Sequence, residues 1–292
     1  MNLGKLYLVP TPIGNLKDIT LRALEVLKFV DIVAAEDTRQ TLKLLNHFEI
    51  KKSLMSYHKH NEQEKSEDII ELLKEGHNIA IVTDAGTPGI SDPGAVIVKK
   101  CINENIDFEV LPGATAITTA LVYSGLDTTK FLFRGFIPRE NKERKILLNE
   151  IKDVKESIIL YESPYRVVST LETLLEYLGN RNIAICRELT KLHEEIKRGK
   201  IDELIDYFKN TAPKGEFVLV IEGKQQEHID RENKEKWENL SIKDHILNVM
   251  ESGISKKEAI KYVAKERGLN KNEVYKYAID IYFILHFIFA LI

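Results

Sequence analysis

A loop rich in glycine and proline, Thr83–Gly94, constrains the fold of this chain more than any other stretch. It follows the apolar run Ile79–Val82, which is short and β-branched enough to be a buried strand of a parallel sheet. Gly86 and Gly89 permit backbone turns that side chains would block, and Asp92-Pro93 is typical of a helix start with Asp92 as the cap. In an open α/β sheet such a loop lies at the carboxyl end of its strand, where ligands bind. The alternative is an ordinary strand-to-helix turn.

Two further loops of small residues and proline follow predicted strands in the first half. Pro10–Leu16 follows the strand Leu6–Val9, and Pro112–Ala116 follows the strand Phe108–Leu111. The first of these loops lacks both the Gly-x-Gly-x-x-Gly of a dinucleotide site and the Gly-Lys-Ser/Thr of a phosphate loop. Its two prolines make it rigid and poor in backbone donors, which suits packing against a flat or apolar ligand group. Because three such loops would meet at one sheet edge, a ligand pocket is predicted there.

The segment Glu36–Arg39 brings three ionisable side chains directly after the predicted strand Asp31–Ala35. Such side chains at the carboxyl end of a strand form a candidate site. The alternative is a solvated strand end in which Thr38 caps the next helix. His58 and His60 follow in a charged segment without ligand spacing, so we interpret them as surface residues and predict no metal site.

The strand-and-helix pattern restarts near Gly125, and Ser163-Pro164 repeats the cap-plus-proline helix start. The predicted strands of this second half are Lys130–Phe136, Ser157–Glu162, Asn182–Cys186 and Glu216–Ile221. Because both halves alternate strands with helices, two sheets are expected rather than one large barrel. The predicted domains are therefore residues 1–124, residues 125–224, and residues 225–292 with a linker, helices and an apolar tail.

Three short helices are predicted after the linker, beginning at Ser241, Ser255 and Asn270, each with Asp or Glu three residues later. A tight turn at Gly268 gives this region a pattern that resembles a helix-turn-helix. The stretch Ser255–Lys276 has seven Lys or Arg against three Glu. This excess indicates either a surface for RNA or a solvated helical face.

The net charge, the two cysteines and the start of the chain further limit which kinds of protein this can be. A net charge of −3 over 292 residues excludes a protein-wide basic field, so any RNA contact must come from local patches. Cys101 and Cys186 show no metal-ligand spacing and predict buried thiols in a reducing compartment. The chain enters a strand directly without a secretion signal, so a cytoplasmic protein is expected.

The last residues, Ala278–Ile292, are nearly all apolar. Spanning a bilayer needs about 20 such residues, so we expect this tail to pack on a partner subunit or on the protein itself. Anchoring at a membrane surface is the alternative.

Several strings together resemble a known family. They are Pro10–Leu16, Glu36–Arg39, Asp84–Gly94, Leu111–Thr115, Leu160–Pro164, Arg187–Lys191 and Lys214–Phe217. The chain resembles the tetrapyrrole methylase superfamily and, within it, the branch that methylates ribosomal RNA, over about residues 5–277. Taken singly, only the Asp84–Gly94 loop is specific. The apolar tail departs from the family, whose members tend to end in a charged, alanine-rich helix.

This resemblance implies two α/β/α domains of the tetrapyrrole methylase type with a small C-terminal helical domain, and S-adenosylmethionine in the cleft between the two domains. It implies methylation of the ribose 2′-hydroxyl of a cytidine (cytidine 1402) of 16S rRNA in the 30S subunit, by a homodimer and without a metal. Carried over by position, the implied cofactor-binding residues are Pro12, Ile13, Gly86, Thr87, Ile90, Ser91, Ala114 and Thr115 from the first domain and Tyr161, Leu189 and Glu216 from the second.

A ribose hydroxyl is a poor nucleophile at neutral pH, so a nearby general base would accelerate methyl transfer. Asp37 is the first candidate for this base, followed by Glu36 and Glu162. Guanidinium and ammonium groups bind phosphates, and the candidate RNA-binding residues are Arg39, Arg187 and Lys191.

Two other functions stay open on the sequence alone. The chain could methylate a tetrapyrrole or another small molecule at the same cofactor site. It could also be a non-catalytic ribosome-assembly factor that retains the fold.

Overall fold

A computed structural model describes residues 3–211, 213–225, 240–279 and 281. The chain divides into two compact units, Met1–Gly223 and Lys224–Ile292. The first unit contains two five-stranded sheets, and the second contains short helices. The α/β class with two sheets and a C-terminal helical segment is therefore confirmed.

The first sheet is parallel throughout. Its strands are β1 (Leu6–Leu8), β2 (Ile32–Ala35), β3 (Ser53–Ser56), β4 (Ile79–Val82) and β5 (Phe108–Val110), in the order β3-β2-β4-β1-β5. The helices that follow these strands are α1 (Leu21–Phe29), α2 (Thr38–His47), α3 (Glu62–Lys74), α4 (Ala95–Glu104) and α5 (Ala116–Ser124). Every residue of β4 is buried, because helices cover both faces of a parallel sheet.

The second sheet mixes parallel and antiparallel strands. Its strands are β6 (Phe131–Phe136), β7 (Ser157–Glu162), β8 (Asn182–Arg187), β9 (Glu195–Lys200) and β10 (Phe217–Ile221), in the order β6-β7-β10-β8-β9. Only β6 and β7 run parallel in this sheet; the other neighbours pair antiparallel. The helices of this half are α6 (Asn141–Ile151), α7 (Val167–Leu178) and α8 (Ile201–Asn210).

Two strands, β3 and β9, do not stand out in the sequence pattern. Both lie at an edge of their sheet. Edge strands carry fewer buried side chains than central strands, and neither β3 nor β9 has a fully buried residue. Their sequences therefore lack the apolar run that marks the central strands.

Helix α5 joins the two halves of the first unit. It follows the last strand of the first sheet, yet Ala120 and Leu121 pack against Ile159, Val218 and Val220 of the second sheet. Burying a leucine side chain contributes roughly 1.5–3 kcal/mol, so this packing holds the halves together. The domain boundary between residues 124 and 125 remains a prediction.

The helix starts expected at Asp92-Pro93 and Ser163-Pro164 were wrong by a few residues. Helix α4 begins at Ala95 after Gly94, whose φ of 142° is not helical. The backbone N–H of Gly89 donates to the carbonyl of Pro93 at 3.0 Å, so the loop closes on itself before the helix begins. Helix α7 likewise begins only at Val167. Asp92 is therefore a loop residue and does not cap the helix.

The second unit has the three predicted helices, α9 (Ile242–Glu251), α10 (Lys256–Arg267) and α11 (Lys271–Ala278). Ser241, Ser255 and Asn270 cap them, each accepting a hydrogen bond from a backbone N–H in the first turn. Gly268 ends α10 at φ 63°, which confirms the predicted tight turn.

Most of the predicted linker and nearly all of the apolar tail fall on residues 226–239, 280 and 282–292, outside the described residues. In the part that the structure does describe, no helix is both long and apolar enough to cross a membrane.

Candidate active site

Three loops meet at the carboxyl edge of the first sheet, as predicted. Thr11 and Gly86 exchange two backbone hydrogen bonds of 2.9 and 3.0 Å, which tie the loop after β1 to the loop after β4. The Thr87 hydroxyl donates to the carbonyl of Ala114 at 3.3 Å and so reaches the loop after β5. Their small side chains allow this close packing.

A loop of the second half closes on this edge. The backbone N–H of Asn15 donates to Thr190 Oγ1 at 2.9 Å, across the boundary between the two sheets. Gly14 leaves no room for a side chain, because an added Cβ would lie 2.5 Å from Lys191 Cγ and 2.8 Å from the carbonyl oxygen of Leu189. Glu188 and Thr190 adopt positive φ angles of 52° and 65° in this turn. Such strain is typical of segments that shape a site.

The loops enclose a cavity of about 400 Å³ between the two sheets. Nine of the eleven predicted cofactor residues line it: Ile13, Gly86, Thr87, Ile90, Ser91, Thr115, Tyr161, Leu189 and Glu216. Ala114 does not line this cavity, but its carbonyl accepts the hydrogen bond from Thr87, which does. Pro12 borders an adjoining cavity of about 400 Å³ that shares Ile13, Asp84, Ala85 and Glu216 with the first.

Besides Glu162, which is buried, four acidic residues line the first cavity: Glu36, Asp84, Asp92 and Glu216. The backbone N–H of Asp84 donates to Glu36 Oε2 at 3.3 Å, which holds the loop after β4 beside the end of β2. Burial raises the pKa of Glu36. Burial also raises the pKa of Asp92, to about 7, and the charges of Glu36, Asp84 and Glu216 add to this increase. A carboxyl with such a pKa can both accept and release a proton near neutral pH.

Asp92 is thus the functional candidate that sequence reasoning missed. Its pairing with Pro93 is typical of a helix cap, a role in which the carboxylate only accepts a backbone hydrogen bond. The available signal was its place in the same loop as Asp84, which follows a buried strand end.

Asp37, the first candidate for a base, has a different environment. It caps α2, and its carboxylate accepts hydrogen bonds from the Arg39 backbone N–H at 2.8 Å and from Arg39 Nε and Nη2 at 3.0 and 2.7 Å. These bonds lower the pKa of Asp37 to about 2. Asp37 lines neither of the two cavities. A carboxylate with so low a pKa is a weak base, so the geometry favours Asp92 over Asp37.

Glu162 belongs to the cavity wall, but its side chain is fully buried. The carboxylate accepts from the Ser163 N–H at 2.8 Å and from Thr170 Oγ1 at 2.6 Å, and it lies 3.5 Å from Arg166 Nη2. These interactions fix the turn between β7 and α7. The arrangement therefore supports a role for Glu162 in holding the turn between β7 and α7 in place, rather than a role as the general base.

The three candidate RNA-binding residues all have acidic partners. Arg39 pairs with Asp37 while 86% of its side chain is exposed. Arg187 Nε donates to Glu195 at 3.0 Å, and Lys191 Nζ donates to Glu188 at 2.9 Å and to Glu216 at 3.0 Å. Lys191 borders the adjoining cavity, whereas Arg39 and Arg187 line neither of the two cavities described above.

His58 and His60 show partial agreement with the sequence interpretation. His60 is exposed, whereas His58 is half-buried and its Nδ1 has no hydrogen-bond partner within the described part of the chain. No group of three or more His, Cys, Asp or Glu within the described ranges could hold a metal ion.

A family model and named relatives both match most of this chain. Residues 5–205 match the family model described as Tetrapyrrole (Corrin/Porphyrin) Methylases. A protein of Halalkalibacterium halodurans named Ribosomal RNA small subunit methyltransferase I is 49% identical over 272 residues, which cover 93% of each chain. A protein of the same name from Thermotoga maritima is 48% identical over 223 residues, which are 76% of this chain and 100% of the relative.

The fold is also similar to solved structures. Uroporphyrin-III-C-methyltransferase from Thermus thermophilus matches with a TM-score of 0.53 and 22% identity, over 75% of this chain and 94% of that one. At this identity the likeness concerns the fold alone.

Proposed function

This chain belongs to the tetrapyrrole methylase family, among the relatives named ribosomal RNA small subunit methyltransferase I, and from this premise we propose that it methylates 16S rRNA with S-adenosylmethionine as the methyl donor. The proposed target is the ribose 2′-hydroxyl of a cytidine in the small subunit. The observation that carries this proposal is the cavity where loops of small residues from both halves meet.

The lining of this cavity fits a sulfonium nucleoside. Its volume of about 400 Å³ lies within the range of small-molecule sites. Ile13, Ile90 and Leu189 offer apolar surface for an adenine ring, and Glu36, Asp84, Asp92 and Glu216 favour a positively charged ligand. When bound, the cofactor supplies an electrophilic methyl group.

We propose that Asp92 accepts the proton that leaves the ribose hydroxyl. Its pKa of about 7 means that a large fraction of Asp92 is deprotonated at neutral pH, while its basicity is far above that of Asp37. A base of matched pKa contributes a factor of roughly 10²–10⁴ to the rate. The remaining acceleration would come from alignment of the ribose hydroxyl with the methyl group. The rigid loops around Thr11 and Thr87 are suited to this alignment.

The carboxylates also constrain how RNA can approach. They would repel phosphates, so the phosphates must stay outside the cavity while ribose and base enter. Arg39, Arg187 and Lys191 are proposed to hold the RNA backbone there. The basic helices α10 and α11 of the second unit are proposed to bind RNA phosphates as well. An unpaired target nucleotide is expected, because an A-form duplex hides its bases from side chains.

This proposal has four further parts. The substrate is the assembled 30S subunit, and the enzyme is a homodimer. The protein is located in the cytoplasm, and its three domains are divided at residues 124 and 224. Light scattering of the purified protein would test the dimer. A small-molecule methylase is less favoured, because the relatives at 49% identity carry the ribosomal RNA name and the tetrapyrrole methylase structure is 22% identical.

The decisive experiment is incubation of the protein with unmethylated 30S subunits and labelled S-adenosylmethionine, followed by mapping of the labelled nucleotide. We expect one labelled cytidine, resistant to alkaline cleavage because its 2′-hydroxyl is blocked. Cofactor binding without label transfer would instead support an assembly factor, and transfer only to a small molecule would support the tetrapyrrole alternative.

A further inference from the structure

Strand β6 contains an irregularity beside the cavity. Phe131 and Phe133 pair in register with Ser157 and Ile159 of β7, but the register shifts before Phe136. Gly135, between them, has a φ of 63°, which glycine adopts without strain. A bulge of this kind turns the following side chain in a new direction and is frequent next to active sites.

The irregularity leaves the aromatic ring of Phe136 at the mouth of the cavity. Phe136 lines the cavity, and 53% of it is exposed. Its ring meets Tyr161 edge to face, with 5.6 Å between the ring centroids, and Tyr161 rests in the same way on Phe133 at 4.9 Å. The Phe136 ring is therefore supported from the protein side while much of its surface remains open.

The bulge also lies close to the proposed base. A Cβ built at Gly135 would come within 3.5 Å of Ser91 Oγ, and Ser91 directly precedes Asp92. Phe136 is thus in the second half of the first unit but borders the loop that carries Asp92. A group held on this ring would lie at the entrance to the carboxylate cluster.

The charge of the cavity and the exposed ring at its mouth together indicate which part of the substrate binds at Phe136. The four carboxylates disfavour phosphate in the cavity, so the neutral part of a nucleotide must enter first. Unpaired bases bind to proteins by stacking on aromatic rings, which tolerates any base. We propose that Phe136 is a positioning residue on which the base of the target nucleotide stacks, so that its ribose reaches Asp92. This inference rests on the proposed function.

The test compares variants at Phe136 with a matched control on the same strand. Phe131 is 44% exposed and lines neither the cavity nor its neighbour, so Phe131→Ala controls for removal of an exposed phenylalanine. Methylation of 30S subunits is measured together with S-adenosylmethionine affinity by calorimetry. Phe136→Ala should lower kcat/KM for 30S subunits roughly 5- to 150-fold, the range for removal of one base–aromatic stack, mainly through KM.

The other variants separate stacking from simple apolar contact. Phe136→Trp should retain near-normal kcat/KM, whereas Phe136→Leu should be as impaired as Phe136→Ala. Cofactor affinity should stay within about twofold in all of them, and thermal unfolding should confirm that each folds, since an exposed ring contributes little to the core.

Three results would overturn the inference: unchanged kcat/KM in Phe136→Ala, full activity in Phe136→Leu, or a matching decrease in Phe131→Ala. Reduced cofactor affinity in Phe136→Ala would assign the ring to the cofactor instead. Failure of the wild-type protein to methylate 30S subunits would overturn the proposed function, and this inference with it.

Discussion

At the scale of single residues, the chemistry depends on how differently the structure treats carboxyl groups that look alike in sequence. Asp37 is bound by a neighbouring arginine, and its pKa falls to about 2. Glu162 is buried with its oxygens engaged by Ser163 and Thr170. Asp92 is partly buried among other carboxylates, and its pKa rises to about 7. Neighbouring charge and burial, which act in space, produce this separation.

The first prediction concerns the proposed base. Asp92→Asn keeps the size of the side chain but cannot take up a proton, so kcat should fall by at least about 10²-fold. S-adenosylmethionine affinity should change much less, because the other three carboxylates remain. The matched control is Asp37→Asn, which keeps an oxygen that can cap α2 but removes the charge that pairs with Arg39, and it should leave most of kcat. The reverse pattern would return the role to Asp37.

The second prediction is a pH profile. The base must be deprotonated to act, so the rate should rise with pH and level off above a midpoint of about 7. Three carboxylates raise this midpoint, namely Glu36, Asp84 and Glu216. Glu36→Gln removes one of these negative charges, which lowers the pKa of Asp92 and should shift the midpoint to lower pH. Single-turnover rates across the range from mildly acidic to mildly basic pH measure both effects, and an unmoved midpoint would argue against Asp92.

At the scale of elements, the site is made by loops that fit closely because they lack large side chains. The loops after β1, β4 and β5 come from the same sheet edge, and their convergence was predicted from the strand pattern alone. The turn around Thr190 was implied only by the family resemblance, through Leu189, because it follows an antiparallel strand of a different sheet. Gly14 is a point where the two sets of loops touch.

The third prediction uses this close approach. Gly14→Ala would place a Cβ 2.5 Å from Lys191 Cγ and 2.8 Å from the Leu189 carbonyl, and backbone atoms cannot move aside as freely as a lysine side chain. The loops should separate, and misplacement of about 1 Å can cost roughly 10²-fold in rate. Activity should fall more than thermal stability. Equal kcat/KM in wild type and variant would show that the loops tolerate the shift.

At the scale of the whole molecule, the two compact units carry different features, a cavity in the first and basic helices in the second. The cavity lies entirely within Met1–Gly223. The Thermotoga maritima relative aligns over its full length with only 76% of this chain, so a protein of that name is shorter than this one. The basic helices α10 and α11 belong to the second unit.

The fourth prediction is a truncation after Gly223. The shortened protein should bind S-adenosylmethionine as the full chain does, because its cavity is intact. Its affinity for 30S subunits should fall, and the slope of log K against log salt should become shallower by about 0.7–0.9 for each phosphate that the removed helices had neutralised. Unchanged affinity and slope would show that the helical unit is a solvated surface.

Features that depend on neighbours along the chain can be predicted from the order of amino acids. Apolar runs predicted the central strands, and Ser241, Ser255 and Asn270 predicted helix starts that the structure confirms. Glycine and proline spacing predicted the loops of the first sheet. Each of these follows from interactions within a few residues, so the local pattern is sufficient.

Which side chains share an environment follows from the three-dimensional fold and not from the local pattern. The edge strands β3 and β9 exist because central strands pair with them, and α5 is held by the sheet that follows it in sequence. The pKa of Asp92 depends on Glu36 and Glu216, which are distant in sequence, and Phe136 reaches the cavity mouth through a bulge. Burial and electrostatic coupling act over distances in space, and a linear pattern does not contain them.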